Sequence, residues 1–304
     1  MTEDADKIIP LRHYGRWLSG AIALALIALL VKAFAQGEID WPVVGEFFMA
    51  PVLIKGLGNT MLITVLAIIM GLVLGVVFAV MRLSKNPVTN AVASAYIWLF
   101  RGTPVYLQLL IWFNLALVFP TVNLGFYQGR MVDVMTPFLA ALLGLGMNEG
   151  AYMTEIVRGG ILSVDRGQME AASSIGMTRL MAMRRIVLPQ TMRVIVPPIG
   201  NEFIGLLKTS SMASTIAYTE LLHRAQIIYF VNAKVIELLI VAAGWYMIIV
   251  TIFTVIQARV ERRFSRGQSH EEPPSFFRRM WRNLTISRRK TDPSAQRVAA
   301  GGLR

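Results

Sequence analysis

Seven residues carrying a charge or a side-chain amide sit inside or at the ends of strongly apolar stretches: Arg101, Asn148, Glu149, Glu155, Asn201, Glu202 and Lys208. Such groups are costly in a bilayer, so they face a bundle interior or a water-filled cavity and often mark solute paths. Asn148 and Glu149 are adjacent, while Asn201, Glu202 and Lys208 follow the sequence VPPIG. Opposite charges lining a cavity suit a small solute that carries both a carboxylate and an ammonium. Asn148, Glu149, Asn201, Glu202 and Lys208 are therefore the candidate pathway residues. Glu155 needs no such role, because Arg158 lies at i+3, within ion-pair reach on a helix.

Bond-making chemistry has no matching set of groups. The three histidines, His13, His223 and His270, are far apart, and no HExxH pair is present to hold zinc. The chain has no cysteine, hence no disulfide framework or thiolate site. The run GNEFIGLLKTSS at 200–211 is a near miss to a phosphate-binding loop, since that loop needs Gly and Lys adjacent and here two leucines separate Gly205 from Lys208. The expectation is no catalytic residue, no metal and no cofactor on this chain, with any nucleotide held by another polypeptide.

The elements that must position these groups are membrane helices. Of the 304 residues, 55% are hydrophobic and only 16% charged, well below the quarter usual in soluble domains, and the charges are gathered in blocks. Six stretches approach the ~20 apolar residues of a crossing: about 17–36, 52–81, 88–118, 136–158, 194–217 and 235–258. The third is interrupted by RGTP at 101–104 and the fifth by Pro197-Pro198, breaks tolerated where they line a cavity or protein. Interrupted helices are also where transporters build solute sites. GLVLG at 71–75 spaces two glycines for close helix approach or merely loose packing. The fold class is an all-α integral membrane protein with six transmembrane helices.

Orientation follows from the basic residues. With the N-terminus inside, 23 Lys and Arg fall on the cytoplasmic side against three outside (Arg130, Arg224, Lys234), and four lie in helices. Both termini are then cytoplasmic. The same asymmetry accounts for most of the net charge of +12, so no nucleic-acid partner is invoked. The first segment is too long for a signal-peptide core and is followed by QGEIDWP, so it reads as an uncleaved anchor. The tail after 265 reads as a solvated basic segment, with FFRRMWRNL at 276–284 as an alternative interfacial helix.

One cytoplasmic stretch, EAASSIGMTRLMAMRRIVLPQ at 170–190, is too polar for a span. A helix through MEAASSIGM would align Met169, Ala172, Ile175 and Gly176 in one small, apolar stripe, narrow enough for another protein's groove. By periodicity alone an amphipathic linker on the lipid surface fits as well. The residue pattern is more specific: Glu170-Ala171-Ala172, Gly176 four residues after Ala172, then Ile186, Leu188 and Pro189 closely resemble the EAA loop of bacterial ABC importer permeases. GxxNT at 56–60, RGTP, AYMTEIVRGGI at 151–161, LPQTMRVIVPP at 188–198 and LLKTSSMAS at 206–214 resemble the polar amino acid branch of that family, over about 52–258.

The resemblance implies a five-helix permease core of type I importers at 51–260, with the coupling loop at 159–193. Residues 1–50 then supply an extra anchor helix and 261–304 a basic tail. It implies a coupling surface of Glu170, Ala171, Ala172, Gly176, Arg179, Arg184, Arg185, Ile186, Leu188 and Pro189, with Ala172 and Gly176 allowing close approach. It also implies two ATP-binding subunits that use the ATP, a second permease chain (the same or related), an extracytoplasmic solute-binding protein and a polar amino acid as cargo, in the bacterial inner membrane. A channel or secondary carrier working without an ATPase is the alternative.

Overall fold

The computed structural model describes residues 14–264, apart from 124, 126 and 127. Its order is helical almost throughout: α1 (Tyr14–Gln36), α2 (Trp41–Phe48), α3 (Pro51–Leu83), α4 (Pro87–Gly102), α5 (Val105–Phe113), a two-stranded antiparallel hairpin β1 (Thr121–Asn123) and β2 (Gln128–Arg130), α6 (Met131–Val134), α7 (Pro137–Leu162), α8 (Arg166–Ser174), α9 (Arg179–Ala182), α10 (Leu188–Thr209), α11 (Leu221–Asn232) and α12 (Val235–Phe264). Three of these, α1, α3 and α12, are by themselves long and apolar enough to cross a bilayer. Residues 1–13 and the tail from 265, with the FFRRMWRNL stretch, lie outside the described residues.

Helix α1 is a 23-residue apolar helix with exposed leucines and isoleucines. The second compact unit runs Asp40–Gly267. It begins at Asp40 rather than near 51 because α2 belongs to it: Trp245 Nε1 of α12 donates to Phe48 O at 2.7 Å, and Asp40 N donates to Glu237 Oε1 at 3.0 Å. Lys234 Nζ donates to Asp40 Oδ2 at 3.0 Å, and this contact holds the Asp40 carboxyl below its ordinary range.

The main seam of the unit is α3 against α7. The two glycines of GLVLG explain it. A Cβ on Gly71 would stand 2.8 Å from Glu149 Cγ, and one on Gly75 would stand 2.9 Å from the Met153 backbone carbon. Helix backbones meet this closely only across residues without side chains. The GxxNT sequence at 56–60 has a separate task. Asn59 Nδ2 donates to Thr219 O at 2.7 Å, and Thr60 Oγ1 accepts from Leu221 N at 3.1 Å. Beside them Glu220, fully buried, caps α11 by accepting from Leu222 N and His223 N, and takes a third bond from the Tyr246 hydroxyl. One cluster thus ties α3, α11 and α12 together, and α11 is an element absent from the six-span reading.

The fifth span differs from expectation. Helix α10 runs through Pro197 and Pro198 without interruption and continues as a 3-10 turn over Ser210–Ile216. The prolines still deprive Arg193 and Val194 carbonyls of their usual donors. Beside them Gln257 Nε2 from α12 donates to Pro197 O at 2.8 Å across the side-chain-free Gly200.

Replacing Gly75 with leucine should destabilise this unit by about 1–3 kcal/mol or more through overpacking of the α3–α7 seam. Gly58→Leu, at a position where an added Cβ meets nothing within 4 Å, should leave the melting temperature of the purified protein unchanged. Equal melting temperatures for the two variants would rule out the glycine seam.

Candidate functional site

The third span breaks where the sequence reads RGTP, and the reason is a missing donor. In a continuous helix the Phe100 carbonyl would accept from the N–H of residue 104, but Pro104 has none. Helix α4 therefore stops at Gly102 and α5 starts at Val105. The orphaned Phe100 carbonyl accepts instead from Gln108 Nε2 at 2.9 Å and from Asn148 Nδ2 at 2.7 Å. The Thr103 hydroxyl donates to Leu99 O at 2.8 Å, closing the last turn.

Between this break, α7 and α10 lies a cavity of about 620 Å³. Arg101, Thr103, Asn148, Glu149, Tyr152 and Glu202 supply its polar wall, and Val105, Leu145, Leu206 and Met212 its apolar one. The Arg101 guanidinium stands over the Tyr152 ring, 4.9 Å from the centroid, a cation–π contact. Glu149 is only 5% exposed and its Oε1 has no hydrogen-bond partner among the described residues. Glu202 is half-buried on the facing helix. The cavity therefore offers one guanidinium, two carboxyl groups and a ring face, the usual makings of a site for a small charged solute.

Three of the five candidate pathway residues, Asn148, Glu149 and Glu202, meet on this wall. Asn201 and Lys208 do not line it. Both are exposed, on faces of α10 turned away from Glu202 and Leu206, because 3.6 residues per turn put neighbours on different sides. Asn148 also differs from its expected part, since its N–H is already given to Phe100 O. Arg101 and Tyr152 join the site; the signal for Arg101 was its place beside the RGTP break. Glu155 pairs with Arg158 at 2.7 Å, as the i,i+3 spacing predicts.

The 170–190 stretch folds as the short helix α8, a turn at Gly176 and a second helical run that begins with α9. Asp165 caps α8 by accepting from Gly167 N at 2.6 Å, and Thr178 caps α9 by accepting from Met181 N. The expected continuous helix through Gly176 is not formed. Helix α8 ends at Ser174, and Gly176 takes φ +81°, a left-handed conformation that terminates helices and that residues with a Cβ resist. The expected stripe is split as a result. Ala172 is 1% exposed, packed into its own chain, while Ile175 is 77% exposed and Leu180 78%. The small alanine serves internal packing, and the outward apolar surface is Ile175, Leu180 and Met181. Glu170, Ala171, Arg179, Arg184 and Arg185 are exposed around it, and Ile186 is half-buried. A wider π-turn at Met183–Val187 carries α9 into α10 with the backbone helical throughout, so Leu188 and Pro189 lie within one continuous helical run from Arg179.

The profile of the family described as binding-protein-dependent transport system inner membrane component matches residues 71–266. The arginine transport system permease protein ArgU of Corynebacterium glutamicum is 43% identical over 86% of this chain and 83% of its own length. The L-cystine transport system permease protein TcyB of Bacillus subtilis is 38% identical over 75% and 92%. A crystal structure of an amino acid ABC transporter with histidines superimposes with TM-score 0.65 at 36% identity, covering 75% of this chain and all of that one. The chain belongs to the binding-protein-dependent inner-membrane component family. It is a permease subunit of an ABC importer, a multi-pass membrane protein whose nucleotide chemistry belongs to a separate subunit.

In this permease the left-handed residue is a specific point of vulnerability. Gly176→Ala should destabilise the α8–α9 turn by about 1 kcal/mol, seen as faster limited proteolysis between residues 170 and 190. Gly176→Asn should be cleaved more slowly than the alanine variant, since asparagine tolerates this conformation better.

Proposed function

We propose that this permease carries a polar amino acid, with a preference for one bearing a cationic side chain, through the cavity between the RGTP break, α7 and α10. The observation that carries the reading is the charge set of that cavity, which Arg101, Glu149 and Glu202 all line. An α-carboxylate matches the guanidinium, and the two carboxyl groups match an α-ammonium and a second positive group. The likeness to an arginine transport system permease protein supports the same cargo. Asn148 takes part through its position on the wall, and Lys208 and Asn201, on the outer faces of α10, remain for contacts with a neighbouring helix or chain.

The membrane arrangement is six crossings: α1, α3, the broken pair α4–α5, α7, α10 and α12. Both termini lie in the cytoplasm, as the distribution of basic residues favours. Residues 1–39 form the extra anchor, Asp40 to about 260 the transport unit, and the rest a basic tail. Two permease chains, the same or related, enclose the path, two ATP-binding subunits dock inside and a solute-binding protein docks outside.

Docking uses the α8–α9 segment from Glu170 to Pro189. Ile175, Leu180 and Met181 form the apolar contact, and Glu170, Ala171, Arg179, Arg184 and Arg185 its polar rim. Ala172, Ile186 and Gly176 shape that segment from within. ATP favours one arrangement of the pathway only through a difference in the partner's affinity for the two, several kcal/mol for a full switch.

Uptake of labelled L-arginine into proteoliposomes holding the complete importer tests the cargo path. Arg101→Ala and Glu202→Gln should each cut uptake at least about tenfold, the size of one lost charge-assisted contact, while the ATPase still co-purifies. Wild-type uptake in both would remove the cavity from the path. For the docking segment, Ile175→Asp together with Leu180→Asp should abolish co-purification of the ATPase without lowering permease yield. Retained co-purification in that double variant would place the contact elsewhere. Transport that persists without any ATPase would select a channel or carrier instead.

A further inference from the structure

We infer that Gln108 is a positioning residue for transport: its side-chain amide holds the RGTP break in the shape that turns Arg101 into the cavity. The inference rests on the reading of that cavity as the solute path. Gln108 lies on α5, 5% exposed, and does not line the cavity itself. Its Nε2 donates to Phe100 O at 2.9 Å, to Thr103 O at 3.0 Å and to Thr103 Oγ1 at 2.8 Å. These acceptors sit on either side of Arg101 and Gly102. Two backbone carbonyls converging on one point require a donor there, which fixes the amide with its NH2 group toward the break.

The geometry explains why a glutamine is needed. Pro104 removes the donor that Phe100 O would have used, and a carbonyl left unpaired in a buried, apolar setting is costly. Asn148 satisfies it from α7 and Gln108 from α5. Of the two amides only Gln108 also reaches Thr103, so it joins the residue before Arg101 to the residue after Gly102, alongside the Thr103 hydroxyl's own bond to Leu99 O. Without it the break keeps the Asn148 bond to Phe100 O and the Thr103 bond to Leu99 O, but loses the one side chain that joins Phe100 O to Thr103 O. The guanidinium would then lose its fixed station over Tyr152.

The chain has no native cysteine, so single cysteines report local exposure cleanly. In the ATPase-bound permease in nanodiscs, Arg101→Cys is labelled with a charged thiosulfonate, with Gln108 or Gln108→Met on the same chain. The methionine keeps the length and volume but not the donor. The expected result is a change of roughly fivefold or more in labelling rate at position 101, with none at a Glu38→Cys control, an exposed position outside the cavity and the docking segment. In the chain with native Arg101, Gln108→Met should weaken binding of tritiated L-arginine roughly tenfold, about one lost buried hydrogen bond. Gln108→Glu, which sets an acceptor against two carbonyls, should weaken it further.

Labelling and binding both within twofold of the parent in Gln108→Met would overturn the inference. Arg101→Ala separates the two claims: if it loses arginine binding while Gln108→Met retains it, the positioning role falls and the cavity stands; if Arg101→Ala itself binds normally, the cavity reading falls. Should Gln108→Met fail to assemble with the ATPase, Gln108→Asn keeps an amide at the position but draws it one methylene back from Phe100 O and Thr103. A labelling change of about threefold at 101 then supports the role, and an unchanged rate refutes it.

Discussion

A backbone carbonyl surrounded by hydrocarbon must have a donor, and Pro104 takes one away. Much of the site's layout follows from how that loss is made good. The helix cannot pass the proline with its bonds intact, so it breaks, and two side-chain amides from different helices close on the orphaned Phe100 carbonyl. Because one of those amides comes from α7, the break is pinned beside Glu149 and Tyr152. A charged residue next to the break is then held at a wall rather than facing lipid. The cost of an unpaired polar group in the membrane works here as a construction rule.

The second constraint is steric. α3 and α7 lie so close that Gly71 and Gly75 leave no room for a methyl group. Glu149 stands on this seam, which is why its carboxyl is buried and one of its oxygens has no partner among the described residues. Toward the opposite end of α3, the Asn59–Thr60–Glu220 cluster carries the same helix onto α11 and α12. Helix α3 is therefore the common spine: one stretch positions the carboxylate wall, and the other anchors the elements that close the unit.

The segment from Asp165 to Val187 obeys a different economy, because most of its residues are exposed. Short helices with side-chain caps suffice there, and a left-handed glycine makes the turn between them. Its apolar residues divide in two: Ala172, Ala182 and Val187 are buried under the segment, whereas Ile175 and Leu180 are left bare.

The amino-acid sequence by itself determined the class of molecule: apolar spans, a basic-residue bias toward one side, the break at RGTP, the glycine pair of α3 and the Glu155–Arg158 pair are all local patterns, set by hydropathy, proline chemistry and helical periodicity. Tertiary structure alone decided which polar residues meet. Nothing in spacing could tell that Glu202 faces the cavity while Asn201 and Lys208 do not, that Pro197-Pro198 would stay helical with Gln257 across from it, or that Ala172 points inward and Ile175 outward. Those outcomes turn on the rotation of each helix about its axis and on donors arriving from residues dozens of positions away, and a one-dimensional pattern encodes neither.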